Sequence, residues 1–130
     1  MIYTGYYAKI KEYEQNGLIT VGISGKIPDG FSGIRYQKLA PKYDWWHEWH
    51  DKKLSNEWFK EKFYETVLNQ LDSASVVKEL QDLGENIVLL CYETPEKFCH
   101  RHLVAEWLNK KQKLNICEFE CKSQPDLFNF

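Results

Sequence analysis

The chain has 130 residues, the size of one ordinary domain, and 43% of them are hydrophobic. With aromatic residues at 15%, it has enough apolar surface to bury a core, which excludes global disorder. The formal net charge of −2 excludes an overall positive field that would draw the protein onto nucleic acid or an anionic membrane. We therefore expect a single domain over residues 1–130, and a nucleic-acid partner stays open only through a local basic site.

The first residues do not form a basic segment followed by an apolar stretch, and no apolar run reaches the length that spans a bilayer. We therefore expect a cytoplasmic protein without a membrane partner. In that reducing compartment the four cysteines should be thiols, since their spacing matches no disulfide framework of secreted proteins.

Two strands are predicted near the amino terminus. Residues 2–7 are β-branched and aromatic, and residues 18–23 have the same character after a turn. Residues 24–30 then combine glycine, proline and aspartate, which favour turns. This predicts a loop at the carboxyl end of the second strand, and the loop contains Ser24 and Lys26.

The middle of the chain has helical periodicity. Residues 40–49 should pass from loop into helix, with Asp44 as the cap. Apolar residues between 57 and 71 recur with helical spacing after Ser55, a suitable cap. The pattern resumes after a short interruption and stops at Gly84, which indicates either a second helix or one bent helix.

Residues 87–92 form a continuous apolar run, which is typical of a strand covered on both faces of a parallel sheet. A helix follows through His100 to about Lys111, and residues 116–119 are predicted to form a last strand. Strands that alternate with helices favour a mostly parallel sheet with right-handed crossovers. Such sheets bind ligands at the carboxyl ends of their strands.

One segment, residues 89–102, gathers reactive groups where the buried strand becomes a helix. Thr94-Pro95 resembles a helix cap followed by a first-turn proline, and whether that turn continues into the next helix stays open. A helix amino end has unpaired N–H donors and positive potential, which suit a phosphate, carboxylate or sulfate. We predict an anion pocket there, with Arg101 adding bidentate hydrogen bonds.

The same potential, with His100 or Arg101, would favour a thiolate at Cys91 or Cys99. Glu93 is then a candidate for orienting a base or transferring protons. The alternative is that both thiols are buried packing groups, which fits Cys91, inside an apolar strand, better than Cys99. Arg101 is equally open to a purely structural pairing with Glu93 or Glu96.

Zinc binding is a competing interpretation, because Cys91, Cys99, His100 and His102 are all zinc-ligand types. Their spacing matches no known finger or ribbon, and the strand and helix would have to bring them together by chance. We therefore expect no metal and no cofactor. Packing or exposure without function is the expectation for Cys117 and Cys121, and core packing is preferred over ligand stacking for the aromatic group Trp45, Trp46, Trp49, Trp58 and Phe59.

The segment closely resembles the domain of unknown function 488 family, whose hallmark is a cysteine and glutamate ending a strand, a proline turn, and a cysteine–histidine–arginine triplet opening a helix. Here these residues are Cys91, Glu93, Pro95, Cys99, His100 and Arg101. The resemblance implies a compact, Rossmann-like α/β fold with the motif at the carboxyl edge of the sheet, and it implies no particular activity. Many members carry aspartate and arginine at the end of the second strand, where this chain has Gly22-Ile23-Ser24.

Two functional hypotheses follow from these residues. The leading one is a small enzyme or sensor for an anionic, nucleotide-like ligand. In it Arg101, Ser24 and Lys26 bind the ligand, while Cys91 or Cys99 reacts with help from Glu93 and His100. The alternative is a non-catalytic module that binds a nucleotide, nucleic acid or protein, with a structural network of Glu93, His100 and Arg101. The oligomeric state is not predicted.

Overall fold

A computed structural model describes residues 1–120 of the chain. Its centre is a five-stranded, all-parallel sheet with the strand order β3-β2-β4-β1-β5. The strands are β1 (Ile2–Tyr6), β2 (Ile19–Gly22), β3 (Ile34–Arg35), β4 (Ile87–Cys91) and β5 (Cys117–Glu118). The compact, Rossmann-like α/β fold predicted from the sequence is confirmed.

Five α-helices flank the sheet within the described residues. They are α1 (Ile10–Gln15), α2 (Tyr43–Lys52), α3 (Asn56–Thr66), α4 (Ser73–Gln81) and α5 (His100–Gln112). Single 3-10 turns occur at Tyr7–Lys9, Gln37–Leu39 and Leu68–Gln70. None of the helices in residues 1–120 is both long enough and apolar enough to cross a bilayer.

Strand β4 is the middle of the sheet, as its apolar run predicts, and all five of its residues are buried. Because side chains alternate along a strand, β4 contributes to two cores. Ile87 and Leu89 join the larger core, which includes residues of α3, α4 and α5, while Val88 and Leu90 pack with Tyr13 on the α1 side. This double coverage fixes the position of Cys91, the last residue of β4.

The helix caps only partly match the predictions. Ser55 is the N-cap of α3, as predicted, and its hydroxyl accepts a hydrogen bond from the backbone N–H of Trp58 at 3.1 Å. The prediction for Asp44 was wrong, because α2 begins one residue earlier, at Tyr43. The Asp44 carboxylate instead accepts a bond from the N–H of Trp45 at 2.8 Å, inside the first turn.

Two short elements, α1 and β3, were not predicted. Helix α1 has six residues and its one buried residue is Tyr13, so it carries too little periodic signal. The tertiary contact that places it is specific, since a Cβ at Gly5 would lie 2.6 Å from the Tyr13 ring. The glycine therefore lets α1 pack directly on β1, and the Tyr13 hydroxyl accepts a bond from the N–H of Tyr6 at 3.1 Å.

Candidate functional site

The site lies where the carboxyl end of β4 meets the amino end of α5. After Cys91 the chain makes one turn, in which the N–H of Lys97 donates to the carbonyl of Thr94 at 3.0 Å. That turn does not continue into α5. Cys99 is extended, with φ −155° and ψ 144°, and it is the N-cap of a helix that begins at His100. The two segments thus place Cys91 and Cys99 side by side.

Three reactive side chains converge at this junction. One donor atom from each of Cys91, Cys99 and His100 lies within 4.8 Å of the others. The Cys91 Sγ is 3.4 Å from the His100 Nδ1, and the His100 Nε2 is 2.8 Å from the backbone carbonyl oxygen of Ile23. Because a carbonyl only accepts, the Nε2 carries the proton, and in the neutral ring the Nδ1 lone pair faces the thiols.

The two thiols differ in their electrostatics although both are buried, with 6% exposure at Cys91 and 5% at Cys99. The hydrogen bond to Cys99, together with burial, raises the pKa of Cys91. The hydrogen bond from Cys91 lowers the pKa of Cys99, and His100 adds to this effect while burial opposes it. Of the two cysteines, Cys99 is therefore the one whose surroundings favour the thiolate.

Arg101 follows His100 in the chain but faces elsewhere. It is fully buried, and its Nε and Nη2 donate to the two carboxylate oxygens of Glu118 at 3.1 and 3.0 Å. Thr4 donates a third bond to the same carboxylate, at 2.8 Å. The partners predicted for Arg101, Glu93 or Glu96, were therefore wrong, because Glu118 on β5 pairs with it instead. Within residues 1–120 the Nη1 of Arg101 has no hydrogen-bond partner.

A polar wall at the end of β2 faces the cysteines. The Ser24 hydroxyl donates to the carbonyl of Lys26 at 2.7 Å, so the Tyr7 hydroxyl, 2.7 Å away, must donate to Ser24. Tyr92 donates to the same Lys26 carbonyl at 2.7 Å. Burial raises the pKa of Tyr7 to about 12, so this hydroxyl keeps its proton.

A cleft of about 870 Å³ opens between these elements and α2. Its floor contains Cys91, Cys99 and His100, and its polar lining includes Ser24, Lys26, Glu93 and Lys97. Aromatic side chains form much of the remaining wall: Tyr43, Trp46, Trp49, Phe59, Tyr92 and Phe98. The cleft is therefore large, mainly aromatic, and edged by two lysines and one carboxylate.

The aromatic group singled out in the sequence divides between core and cleft. Trp45 is 6% exposed, and its indole N–H donates to the Thr66 hydroxyl at 2.8 Å, as a core side chain does. Trp46 and Trp49 instead line the cleft, where the Trp46 ring stacks on His50 with centroids 5.0 Å apart. Core packing alone therefore does not describe the group.

Most of the predicted site residues meet in this cleft. Cys91, Glu93, Cys99, His100, Ser24 and Lys26 all line it, whereas Arg101 lies behind its wall. His102 is outside the cluster of donor atoms, and burial lowers its pKa. Cys117 is exposed on β5, and Cys121 lies outside the described residues.

Sequence reasoning missed several walls of the cleft, notably Tyr92, Lys97 and Phe98. Each belongs to the loop between Cys91 and Cys99. Because loops at strand ends often carry binding residues, the position of this loop in the sequence could have identified them. His50 and Tyr43 had no such signal, because they reach the cleft from a distant helix. They line the cleft only because of the way α2 packs against the rest of the fold.

The model of a family described as the active DUF488-N3 subclade matches residues 6–112. The chain belongs to the DUF488-N3a family. This confirms the resemblance on which the motif from Cys91 to Arg101 was identified. Comparisons with curated proteins and with solved structures gave no match.

The region matched to DUF488-N3a ends at Gln112, which is also the last residue of α5. It therefore contains Cys91, Cys99 and His100 together with the aromatic wall of the cleft. Glu118, the partner of Arg101, lies beyond it. The DUF488-N3a segment holds the reactive groups, and the next strand supplies the partly exposed carboxylate that pairs with Arg101.

Proposed function

We propose that the protein is an enzyme for a small anionic, nucleotide-like molecule, with Cys99 as its reactive group. The observation that carries the proposal is the convergence of two thiols and one imidazole on the floor of the cleft. A volume of about 870 Å³ is in the range of small-molecule sites. The proposal also places the protein in the reducing cytoplasm, where both thiols stay reduced.

Two features support an anionic ligand. Lys26 and Lys97 line the cleft, where Glu93 is the opposing carboxylate. At the floor, the amino end of α5 carries the positive end of the helix dipole, and the N–H of His102 there donates to the Cys99 carbonyl at 3.1 Å. We do not assign a ligand contact to Arg101, because its guanidinium is buried against Glu118.

Two features support an aromatic moiety in the ligand. Trp46, Trp49 and Phe98 offer ring faces or edges along the cleft, and such surfaces stack well on planar heterocycles. An anionic group near Lys97 and a ring against Trp46 would together describe a nucleotide or a nucleotide-like metabolite. The electrophilic atom of that molecule would then lie beside Cys99, with His100 and Glu93 available for proton transfer.

The test combines ligand screening with cysteine labelling. Thermal melting is measured with a panel of nucleoside phosphates, dinucleotides and sugar phosphates, because a ligand that binds the folded state raises the melting temperature. Iodoacetamide labelling, in buffer with a chelator, is followed by peptide mass spectrometry. We expect at least one anionic compound to raise the melting temperature and to slow labelling of Cys99 without slowing that of exposed Cys117.

Two outcomes would overturn the proposal in different ways. Ligand binding without any labelling of Cys99 in the folded protein would indicate a binding module and not an enzyme. No thermal shift with any member of the panel would exclude nucleotide-like anions as ligands. The variant Trp49→Ala is the control for the cleft, since it removes an aromatic wall without touching the thiols.

A further inference from the structure

We propose that Cys91, Cys99 and His100 form a binding site for one Zn²⁺ ion whose fourth coordination position opens onto the cleft. This goes beyond the proposed function and does not depend on it. The sequence argued against zinc because a strand and a helix would have to bring distant ligands together. In the structure they do so, and the three donor atoms lie within 4.8 Å of one another.

The spacing of Cys91 and His100 fits tetrahedral zinc. With Zn–S of about 2.3 Å and Zn–N of about 2.0 Å, a tetrahedral angle places a sulfur and a nitrogen ligand about 3.5 Å apart. The Cys91 Sγ and the His100 Nδ1 are 3.4 Å apart. Little movement of either side chain is therefore needed to hold an ion between them.

The imidazole is already oriented as a ligand. The His100 Nε2 donates to the Ile23 carbonyl at 2.8 Å, and Phe63 packs against the ring with centroids 5.5 Å apart. Zinc-binding histidines usually donate their second N–H to a carbonyl or carboxylate in this way, which fixes the tautomer. The lone pair of Nδ1 is thereby directed at the thiols before any ion arrives.

The chemistry of the donors selects the metal. Two thiolates and an imidazole are soft and borderline ligands, which favour Zn²⁺ over Mg²⁺ or Ca²⁺. Two thiolates also neutralise the ion, so the loaded site adds no net charge to a buried location. The nearby charge of Arg101 does not oppose this, because Glu118 already pairs with it.

Three protein ligands beside a cleft are the arrangement of open zinc sites, whereas structural sites use four. Because all three residues line the cleft, an oxygen or sulfur atom of a bound molecule has access to the fourth position. In the loaded form the Cys99 sulfur is a ligand of the metal. Zinc should therefore slow alkylation of Cys99 and leave that of Cys117 unchanged.

The test uses the full chain after chelation and removal of the chelator. We expect one equivalent of Zn²⁺ to bind in competition with a chromophoric chelator. Co²⁺ as a probe should give thiolate charge-transfer bands and the visible bands of tetrahedral coordination. Cys91→Ser, Cys99→Ser and His100→Gln should each weaken Zn²⁺ binding by more than the roughly 10–100-fold that loss of an outer hydrogen-bond partner costs. Cys117→Ser and His47→Gln are the controls and should bind as the parent protein does, because Cys117 and His47, an exposed histidine of α2, do not line the cleft.

Binding well below one equivalent, or Co²⁺ spectra without thiolate bands, would overturn the zinc site. Equal losses in the control variants would overturn it as well. Circular dichroism checks that each variant is folded, and the Co²⁺ spectrum of the folded parent protein is decisive even if a ligand variant unfolds. The two proposals fail separately. If the protein binds no zinc but a ligand still protects Cys99 from labelling, the zinc site is overturned and the enzyme proposal stands. If the protein binds zinc but Cys99 does not react in the metal-free protein, the enzyme proposal is overturned and the zinc site stands.

Discussion

Two regions meet at the first turn of α5, and they differ in whether their polar groups are open to the cleft or closed off in an ion pair. On one side His100 and the two cysteines face an open cleft, while on the other Arg101 is sealed against Glu118. His100 and Arg101 are neighbours in the chain, yet a helix points consecutive side chains in directions about 100° apart. One motif therefore serves both a candidate site and the internal architecture that holds it.

The largest expected change in the free energy of unfolding comes from the Arg101–Glu118 pair. Arg101→Ala leaves the Glu118 carboxylate, whose side chain is 18% exposed, without its guanidinium partner. Breaking a buried ion pair from one side costs about 3–5 kcal/mol, and we expect a loss near the lower end because Thr4 keeps its bond to Glu118. Urea denaturation followed by tryptophan fluorescence measures the change. If Arg101→Ala leaves the free energy of unfolding unchanged but abolishes ligand binding, Arg101 belongs to the ligand site and not to the internal architecture.

A smaller loss of stability is expected for Thr4→Val, which also acts on the Glu118 carboxylate. The substitution keeps the shape of a residue that is 1% exposed and removes its hydrogen bond to Glu118 at 2.8 Å. Such bonds contribute about 0.5–1.5 kcal/mol net, and those to charged groups fall at the upper end or above. We expect a loss of about 1.5 kcal/mol in urea denaturation. In the background of Arg101→Ala the same substitution should have a different effect, because the two residues share one carboxylate.

The smallest effect on stability is expected on the open side. Lys97 is exposed in the loop over the cleft, and Lys97→Ala should change the free energy of unfolding by at most about 0.5 kcal/mol. The same variant should weaken binding of any anionic compound found in the thermal-shift screen. Lys60→Ala is the matched control, because Lys60 is an exposed lysine of α3 that pairs with Glu106 away from the cleft. If both variants lose the same amount of binding, Lys97 acts on the anionic compound through long-range charge and not through direct contact.

The sequence located the reactive segment because its signals are local. A continuous apolar run identifies β4, and the apolar residues Val104, Ala105, Trp107 and Leu108 identify the helix that follows it. The partner of Arg101 could not be found in this way, since Glu118 reaches it only through the register that pairs Thr4 with Glu118 across β1 and β5. The tertiary packing of α2, which brings Tyr43, Trp46 and His50 to the cleft, likewise leaves no trace in local periodicity.

The strand order has a consequence for how the molecule is made. Strand β1 pairs with β4 and β5, and β2 pairs with β3 and β4. A nascent chain that ends before Ile87 therefore contains β1 without either of its neighbours, and the sheet cannot close until β4 has left the ribosome. Contacts between such distant parts of a chain slow folding. The amino-terminal half must wait for the strand that ends in Cys91, so the joining of β1 to β2 through β4 and the assembly of the cleft floor become nearly one event during synthesis.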